Sequence, residues 1–501
     1  MPVLRREFST NSLTERPTTV KPELISKREG RTETANSNRL ICKFGSQLRY
    51  VIEWGDWIVW DGHRWKRDVG GILVQEKAVE VARGLWLEIV DCRPKINDPT
   101  HPAVISWQHT VKDMYGFARA SNSAKGIAAM VTLARSLASI NVWQLDTNPW
   151  LLNVTNGTLD LSTGKLREHR QTDYITKLCP HAYKPLAPCP TWHRCLNDIF
   201  QGKQELIRYL RQILGYSLTG DVREQILPIF WGVGANGKST VINAVQHVFG
   251  EDYSGTPPLE LFVVSRVGSR HPTELMTLQG KRLMIASETE AGAQLTEARI
   301  KHLTGGDLVT ARGMYENFSS FLPTHKLLLS TNHKPEIRGS DEAIWRRPKL
   351  IPFLVKFAGE SRDKEMGDKL KAEAEGLLAW MVRGCLEWQK NGGLAEPEEV
   401  RVATQCYRDE QDEVGRFLRE HCEIDAHWAV LAGPLYNDAF LKAFPDSRVS
   451  KTAFGKMLGK LGYVKGRVKN GPHKAKWARI GLYYSGAEIL EASDVTPEGN
   501  D

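Results

Sequence analysis

Apolar residues along this chain change their spacing several times, and each change predicts an element. Ile226 to Trp231 is almost unbroken apolar sequence and predicts a buried strand. In Ser239–Phe249, Val241, Ile242, Val245 and Val248 recur at helical spacing, so a helix follows the strand closely. Leu206–Leu218 predicts a helix ahead of it, while Leu283–Ala286 and Lys326–Ser330 predict two further buried strands. Alternation over Val309–Tyr315 and Phe318–Leu322 predicts a β-hairpin with its tip near Tyr315–Asn317.

Upstream, Trp54, Trp57, Trp60 and Trp65 fall in two strand-like runs around Asp61-Gly62, a hairpin-turn signal. Packing of a small hairpin on helices explains these tryptophans better than base stacking does. Helical patterns follow at Val74–Asp91 and Ser106–Ala138, then a β excursion from Trp150 to Leu166 with turns at Asn156-Gly157 and Thr163-Gly164. Near the C-terminus, helices are predicted over Leu435–Phe444 and, capped by Ser450, Lys451–Leu461. Two β-like stretches, Tyr463–Lys469 and Lys476–Tyr483, then flank Asn470-Gly471-Pro472.

These patterns divide the 501 residues into an arm, residues 1–40, a first folded region, 41–200, a central region, 201–390, and a C-terminal module, 391–501. The arm is rich in Ser, Thr, Glu, Lys and Arg and reads as disordered. With 41% hydrophobic and 25% charged residues the rest has material for real cores. No apolar run reaches the roughly 18 residues of a membrane span, and the N-terminus lacks a signal peptide's apolar core. Eight thinly scattered cysteines fit reduced thiols in a cytoplasm, not a disulfide frame. Cys179, His181, Cys189, His193 and Cys195 cluster in sequence, but their spacing departs from paired zinc knuckles, and a loop entering a helix is the simpler reading.

Net charge is +8, and its location matters. Leu435–Tyr484 holds eleven Lys and Arg against two acids, Asp438 and Asp446, so the basic excess is one module. Lys451, Lys456, Lys460, Lys465, Arg467, Lys469, Lys474, Lys476 and Arg479 are there to neutralise phosphates. A solvated lysine-rich surface is the alternative.

The chemistry centres on Gly232-Val-Gly-Ala-Asn-Gly237-Lys238-Ser239, which matches the phosphate-binding pattern G-x-x-x-x-G-K-[ST] between the predicted strand and helix. Gly232, Gly234 and Gly237 let the backbone curl and aim N–H groups at an anion. Ala235, Asn236 and Thr240 complete the cradle, Lys238 reaches the outer phosphates, and the Ser239 hydroxyl suits magnesium. Strand, loop and helix in this order weigh against a chance glycine loop. Glu288 and Glu290 follow the Leu283–Ala286 strand, where ligands gather in a parallel sheet; Glu288 suits the metal and Glu290 an attacking water. Asn332 ends the next strand, within reach of a γ-phosphate. Arg346 and Arg347 precede a short β run, and either suits a neighbour's nucleotide or a plain surface salt bridge. Lys301, Arg312 and Tyr315 lie on or before the hairpin, available for phosphate contact or stacking.

The series GVGANGKST, LMIASETE, KHLTGGDLVTAR, LLLSTNHKP and WRRPKLIPF resembles superfamily-III helicases, and more narrowly the phage and plasmid primase-helicases related to the poxvirus primase-helicase. WGDWIVWDGHRWKRD, NGTLDLSTGKL and ILGYSLTG extend the likeness upstream, so that it covers roughly residues 45–485. The resemblance implies an AAA+-like α/β P-loop NTPase core, a mainly helical N-terminal domain and a C-terminal winged helix. It implies Walker A at Gly237, Lys238 and Ser239, and Walker B at Glu288 and Glu290, though "SETE" separates acids that are adjacent in many relatives. It further implies a sensor at Asn332 and an arginine finger at Arg347, with Arg346 next in line. Lys301, Gly306, Asp307 and Arg312 fall in the motif entering the DNA-contacting hairpin. The family forms rings, usually hexamers, with ATP between subunits. Its members often carry an upstream primase domain; only about forty low-complexity residues precede the helicase-associated region here, so this chain is not expected to make primers.

The expected function is thus an ATP- and magnesium-dependent DNA helicase for a phage, plasmid or integrated element in a bacterial cytoplasm. Its expected partners are single- and double-stranded DNA, copies of itself and a separate primase or other replication protein. The rivals are a DNA translocase, a bifunctional primase-helicase, and an origin-binding module with weak ATPase activity.

Overall fold

A computed structural model describes residues 30–264, 272–287, 292–313, 318–339, 341–358, 363–445, 447, 449–484, 486 and 489–498. The chain falls into two compact units, one up to Tyr183 and one from Lys184.

The first unit opens on helix α1, Glu33–Phe44, where the Thr32 hydroxyl accepts from Ala35 N at 3.1 Å. The expected arm is therefore corrected from residue 33 onward. Leu40 and Phe44 stand on one helical face and join Leu48, Trp57, Val74, Ile127 and Met130 in a core. The arm's residues 1–29 lie outside the described residues. Strands β1, Leu48–Val51, β2, Asp56–Trp60, and β3, Trp65–Asp68, form the expected tryptophan hairpin and its neighbour, with Trp60 opposite Trp65. Helix α2, Ile72–Asp91, follows. The long helical pattern after it is two helices, α3, Pro102–Ser121, and α4, Ala124–Leu137, because the Ser123 hydroxyl caps the second through Gly126 N at 3.1 Å. Strand β4, Ser139–Ile140, completes the sheet in the order β3-β2-β1-β4. Strands β5, Leu151–Val154, β6, Gly157–Asp160, and β7, Lys165–Arg167, make a separate antiparallel meander with the expected turns.

The second unit begins with α5, Pro190–Phe200, and α6, Gln204–Ser217. Then come β8, Leu227–Trp231, α7, Lys238–Tyr253, β9, Ser254–Gly255, β10, Leu283–Ser287, and α8, Glu297–Gly305. Strands β11, Val309–Arg312, and β12, Phe318–Phe321, pair as the expected hairpin, Val309 opposite Phe321. Next are β13, Lys326–Thr331, the short helix α9, Glu342–Trp345, and β14, Pro348–Pro352. Strands β14-β8-β13-β10-β9, in that order, form one parallel sheet. Every residue of β13 is buried, as are four of five in β8 and β10. Parallel strands covered on both faces read as unbroken apolar runs for this reason.

Helices α10, Met366–Ala372, α11, Ala374–Asn391, and α12, Glu398–Gln411, follow. Tyr407 of α12 is buried in the core of this sheet, and the Thr404 hydroxyl accepts from Leu350 N of β14 at 3.0 Å. The packing of the central region thus runs through α12, past residue 390. After α13, Glu413–His421, an antiparallel sheet is built from β15, Glu423–Leu431, β16, Lys465–Val468, β17, Trp477–Tyr483, β18, Ile489–Glu491, and β19, Val495–Pro497, in the order β18-β15-β17-β16-β19. Helical turns over Ala432–Ala443 and helix α14, Lys451–Lys460, pack Phe440 and Phe454 against Phe417 of α13. Among the described residues no helix is long and apolar enough to cross a membrane.

Candidate functional site

The glycine-rich loop leaves the C-terminal end of β8 and enters the N-terminus of α7, the end at which a helix carries partial positive charge. Its glycines are set by close approach. A Cβ on Gly232 would run into the Phe353 carbonyl oxygen. Gly237 has φ of +86°, and a Cβ there would lie 2.6 Å from Ile199 Cδ1. Ala235 takes a positive φ of 60°, uncommon for a residue with a side chain, and its oxygen accepts from Phe357 N at 2.7 Å. Asn236 is buried, and its Nδ2 donates to Phe353 O at 3.1 Å. The loop is thereby fastened to the segment that leaves β14.

Lys238 is 6% exposed. Its ammonium donates to Gly232 O, to Asn332 Oδ1 at 2.9 Å and to Asn236 Oδ1 at 3.3 Å. Asn332 reaches it because β13 lies parallel to β8 with Thr331 opposite Trp231. The loop forms one side of a cavity of about 620 Å³, with Gly234 to Thr240 along it and the ends of β10 and β13, Ser287 and Ser330 to Asn332, at its base. Ile199 and Asp198 of α5, Phe357, and Met366 and Gly367 at the start of α10 line it too. An ammonium, a glycine-rich loop and a helix N-terminus lining one cavity suit a polyanion. The Ser239 hydroxyl at the same wall suits a divalent cation carried with that anion. Glu288 and Glu290, expected to assist it, lie outside the described residues, as does Tyr315 of the hairpin.

The paired arginines part company. Arg347, the arginine expected to face a neighbour's nucleotide, is 5% exposed and packs within its own subunit. Its Nε donates to Thr304 Oγ1 at 2.9 Å, its Nη2 to Lys301 O at 3.4 Å and its Nη1 to Ala343 O. Burial, and then the adjacent Arg346 charge, pull its pKa below the ordinary value. Arg346 is exposed, and its Nη2 donates to Gln225 Oε1 at 2.6 Å. Lys301 pairs with Asp341 at 2.8 Å, which holds that carboxyl below the usual range, and Asp341 also caps α9. In the hairpin, Val309 and Ala311 point inward, while Thr310 and Arg312 are exposed.

In the C-terminal module Lys451 and Lys456 are exposed on α14. Lys465 and Arg467, two apart on β16, lie 3.5 and 4.3 Å from the Trp477 ring centre and 3.9 and 3.5 Å from the Glu498 carboxylate. Lys476 is exposed, its Nζ 3.2 Å from His473 Nδ1. Arg479 is withdrawn from the expected phosphate contacts: it is buried and donates to Tyr463 O at 2.9 Å and to Gly455 O, tying β17 to α14.

Burial pushes the thiols of Cys179, Cys189 and Cys195 up to about 12, 11 and 11. Among the described residues no group of three or more His, Cys, Asp or Glu is gathered to hold a metal. Sequence reading missed Ile199, Phe357 and Met366, ordinary apolar residues far from the loop in the chain. It also missed Lys326, whose buried ammonium donates to Thr219 O and, at 3.2 Å each, to Asp221 O and Thr324 O. Burial first, and the Arg282 charge second, hold that ammonium well below its usual pKa. A lysine opening an otherwise apolar strand is the signal that marks it.

Against known proteins, a family model described as "D5 N terminal like" matches residues 37–201, and a "Family of unknown function" matches residues 230–347. A protein of Acanthamoeba polyphaga mimivirus named "Putative helicase" is 27% identical over 301 residues, 55% of this chain and 31% of the viral one. A "Putative helicase" of Invertebrate iridescent virus 6 is 29% identical over 62% of this chain and 36% of its own length. A "Putative primase" of African swine fever virus, strain Badajoz, is 26% identical over 55% of this chain and 31% of its own. The chain thus spans about a third of the curated relatives it matches. The C-terminal region of NrS-1, in its A form without ligand, aligns over 87% of this chain and 96% of its own with TM-score 0.47 and 13% identity.

Proposed function

Because the chain belongs to the D5-type primase-helicase family, we propose that it is an ATP-driven, ring-forming DNA helicase serving replication of a phage, plasmid or integrated element. The observation that carries the reading is the Lys238 ammonium, held against Asn332 inside a cavity whose wall is a glycine-rich loop between a parallel strand and a helix. In this reading the 201–390 core is a P-loop NTPase of AAA+-like type, and the C-terminal sheet and helices are a winged helix.

ATP is bound with its phosphates along Gly234–Thr240 and its base toward Ile199, Phe357 and Met366. Lys238 leaves its three oxygen partners for the outer phosphates, which bind an ammonium more strongly than neutral acceptors do. Ser239 and Glu288 would hold magnesium, which supplies neutralisation of phosphate charge. Glu290 polarises the attacking water, and Asn332 bonds the γ-phosphate or that water. Arg346, exposed at the surface, is the arginine offered to the nucleotide of the next subunit in a ring, a hexamer by family habit. Arg312, Lys301 and Tyr315 serve the DNA-contacting hairpin. Lys451, Lys456, Lys465, Arg467 and Lys476 contact DNA phosphates.

The test is ATP hydrolysis with and without single-stranded DNA, for wild type, Lys238→Ala and Arg346→Ala. DNA-stimulated turnover that falls in both variants and returns partly on mixing them supports shared sites in a ring. Turnover indifferent to DNA, and no recovery on mixing, would sink it.

A further inference from the structure

Arg347 joins elements that lead to opposite ends of the core. Its backbone oxygen accepts from Leu227 N, the first residue of β8, at 2.7 Å. From there β8 and β14 run in register, Leu227 opposite Pro348 and Trp231 opposite Pro352. At their far ends Trp231 passes into the phosphate loop, and Phe353 O takes the Asn236 amide. The guanidinium of the same arginine reaches the other way. It is bound to Thr304 Oγ1 in the last turn of α8, the end at which a helix carries partial negative charge, and to Lys301 O just ahead of that turn. After α8, Gly306 turns the chain at φ of +84° into β11 of the hairpin. Arg346 and Gln225 make a second, surface link to the same turn, since Gln225 Nε2 donates to Gly305 O at 3.2 Å.

We infer that Arg347 is a positioning residue that transmits the state of the phosphate loop to the β11–β12 hairpin by holding the end of α8 to the roots of β8 and β14. The inference rests on the reading of this chain as an ATP-driven DNA motor. Its logic is mechanical. The strands span about 13–17 Å from root to loop, too far for direct contact between hairpin and phosphate. A planar guanidinium fixed at several points passes on a small shift, where a single flexible ammonium does not. A buried guanidinium engaged with its own α8 and α9 is badly placed to serve a neighbour. When Arg346 turns to a neighbouring phosphate it leaves Gln225, while Arg347 and the Gln225–Gly305 bond still hold the end of α8.

Thr304→Val tests this in the full chain. It keeps the shape of the side chain, removes one of the three acceptors of Arg347 together with the hydroxyl's own bond to Ile300 O, and touches no nucleotide contact. Basal ATP turnover and KM are expected within about twofold of wild type, while stimulation by single-stranded DNA falls to near unity. Arg347→Lys is expected to lose stimulation likewise. Thermal unfolding of both variants identifies any failure to fold, which a purely structural role would show without changing the stimulation ratio. Stimulation retained by the folded variants overturns the inference. So does recovery of Arg347→Ala turnover on mixing with Lys238→Ala, which would place Arg347 in the neighbour's site. If wild type itself shows no DNA-stimulated turnover, the motor reading fails first and the coupling with it.

Discussion

Lys238 Nζ lies 2.9 Å from Asn332 Oδ1, so the side chain expected to sense a phosphate holds the one expected to bind it. A buried ammonium needs acceptors when no anion is beside it, and Asn332, Asn236 and Gly232 supply them. Asn332→Ala removes one acceptor without touching the loop. Nucleotide affinity is expected to change by less than about threefold while turnover falls about 100-fold, a loss of transition-state rather than ground-state contact. Fluorescent-nucleotide binding and phosphate release read the two quantities. A loss of affinity that accounts for the whole loss of turnover would refute the assignment.

Gly237 admits no side chain for two separable reasons, its φ of +86° and the 2.6 Å approach to Ile199 Cδ1. Gly237→Ala is expected to cost about 1–3 kcal/mol in urea unfolding and to abolish nucleotide binding. Adding Ile199→Ala removes the contact but leaves the backbone strain, so part of the stability should return. Full recovery would mean that the backbone conformation costs nothing.

His325 is buried, and burial first and the Lys326 charge second push its pKa down to about 3 from an ordinary 6.5. Between those values the unfolded chain carries a proton that the folded chain does not. Stability therefore rises with pH across this window and is lost as pH falls through it, by about 1.4 kcal/mol per unit at most. Comparing wild type with His325→Gln in urea from pH 4 to 6.5 isolates the contribution. The variant's curve should be flatter, and parallel curves would show that His325 titrates normally.

Glu498 competes for the cations of the C-terminal sheet, standing 3.9 Å from Lys465 and 3.5 Å from Arg467. Exposed pairs of this kind hold by about 0–1 kcal/mol, so a phosphate displaces the carboxylate easily. Glu498→Gln is expected to tighten DNA binding about two- to fivefold, and Arg467→Ala to weaken it and lower the salt slope by about one ion. Titrations at several salt concentrations decide. Binding unchanged by both substitutions would take this face out of the DNA interface.

Elements that bury both faces were legible in the sequence. Ile226–Trp231, Leu283–Ala286 and Lys326–Ser330 are near-continuous apolar runs, and all are strands of the parallel sheet. The phosphate loop was legible because its backbone demands glycine where the chain bends hard, at Gly232 and Gly237. Strand order was not, since no single run says which other run it pairs with. Helix α1 was hidden because a polar segment with apolar groups at Leu40, Ile41 and Phe44 folds only against partners far along the chain. Strand β15 was hidden too: its first six residues, Glu423 to Trp428, are not buried, and only Ala429–Leu431 are. Two adjacent arginines look alike in sequence. They occupy the turn between the end of α9 at Trp345 and the start of β14 at Pro348, where Arg347 turns inward and Arg346 outward.

Ile199 belongs to the stretch matched by the D5 N-terminal-like model, which ends at 201, yet its side chain bears on Gly237, inside the other matched stretch. Modular exchange during evolution would meet this as a constraint. A recombinant joined at 201 would import a foreign residue at 199 against a resident glycine, and would be purged unless the two matched. Crossovers ahead of Lys184 leave that pair intact. Lineages that trade N-terminal regions should therefore show breakpoints before α5, with positions 199 and 237 inherited together.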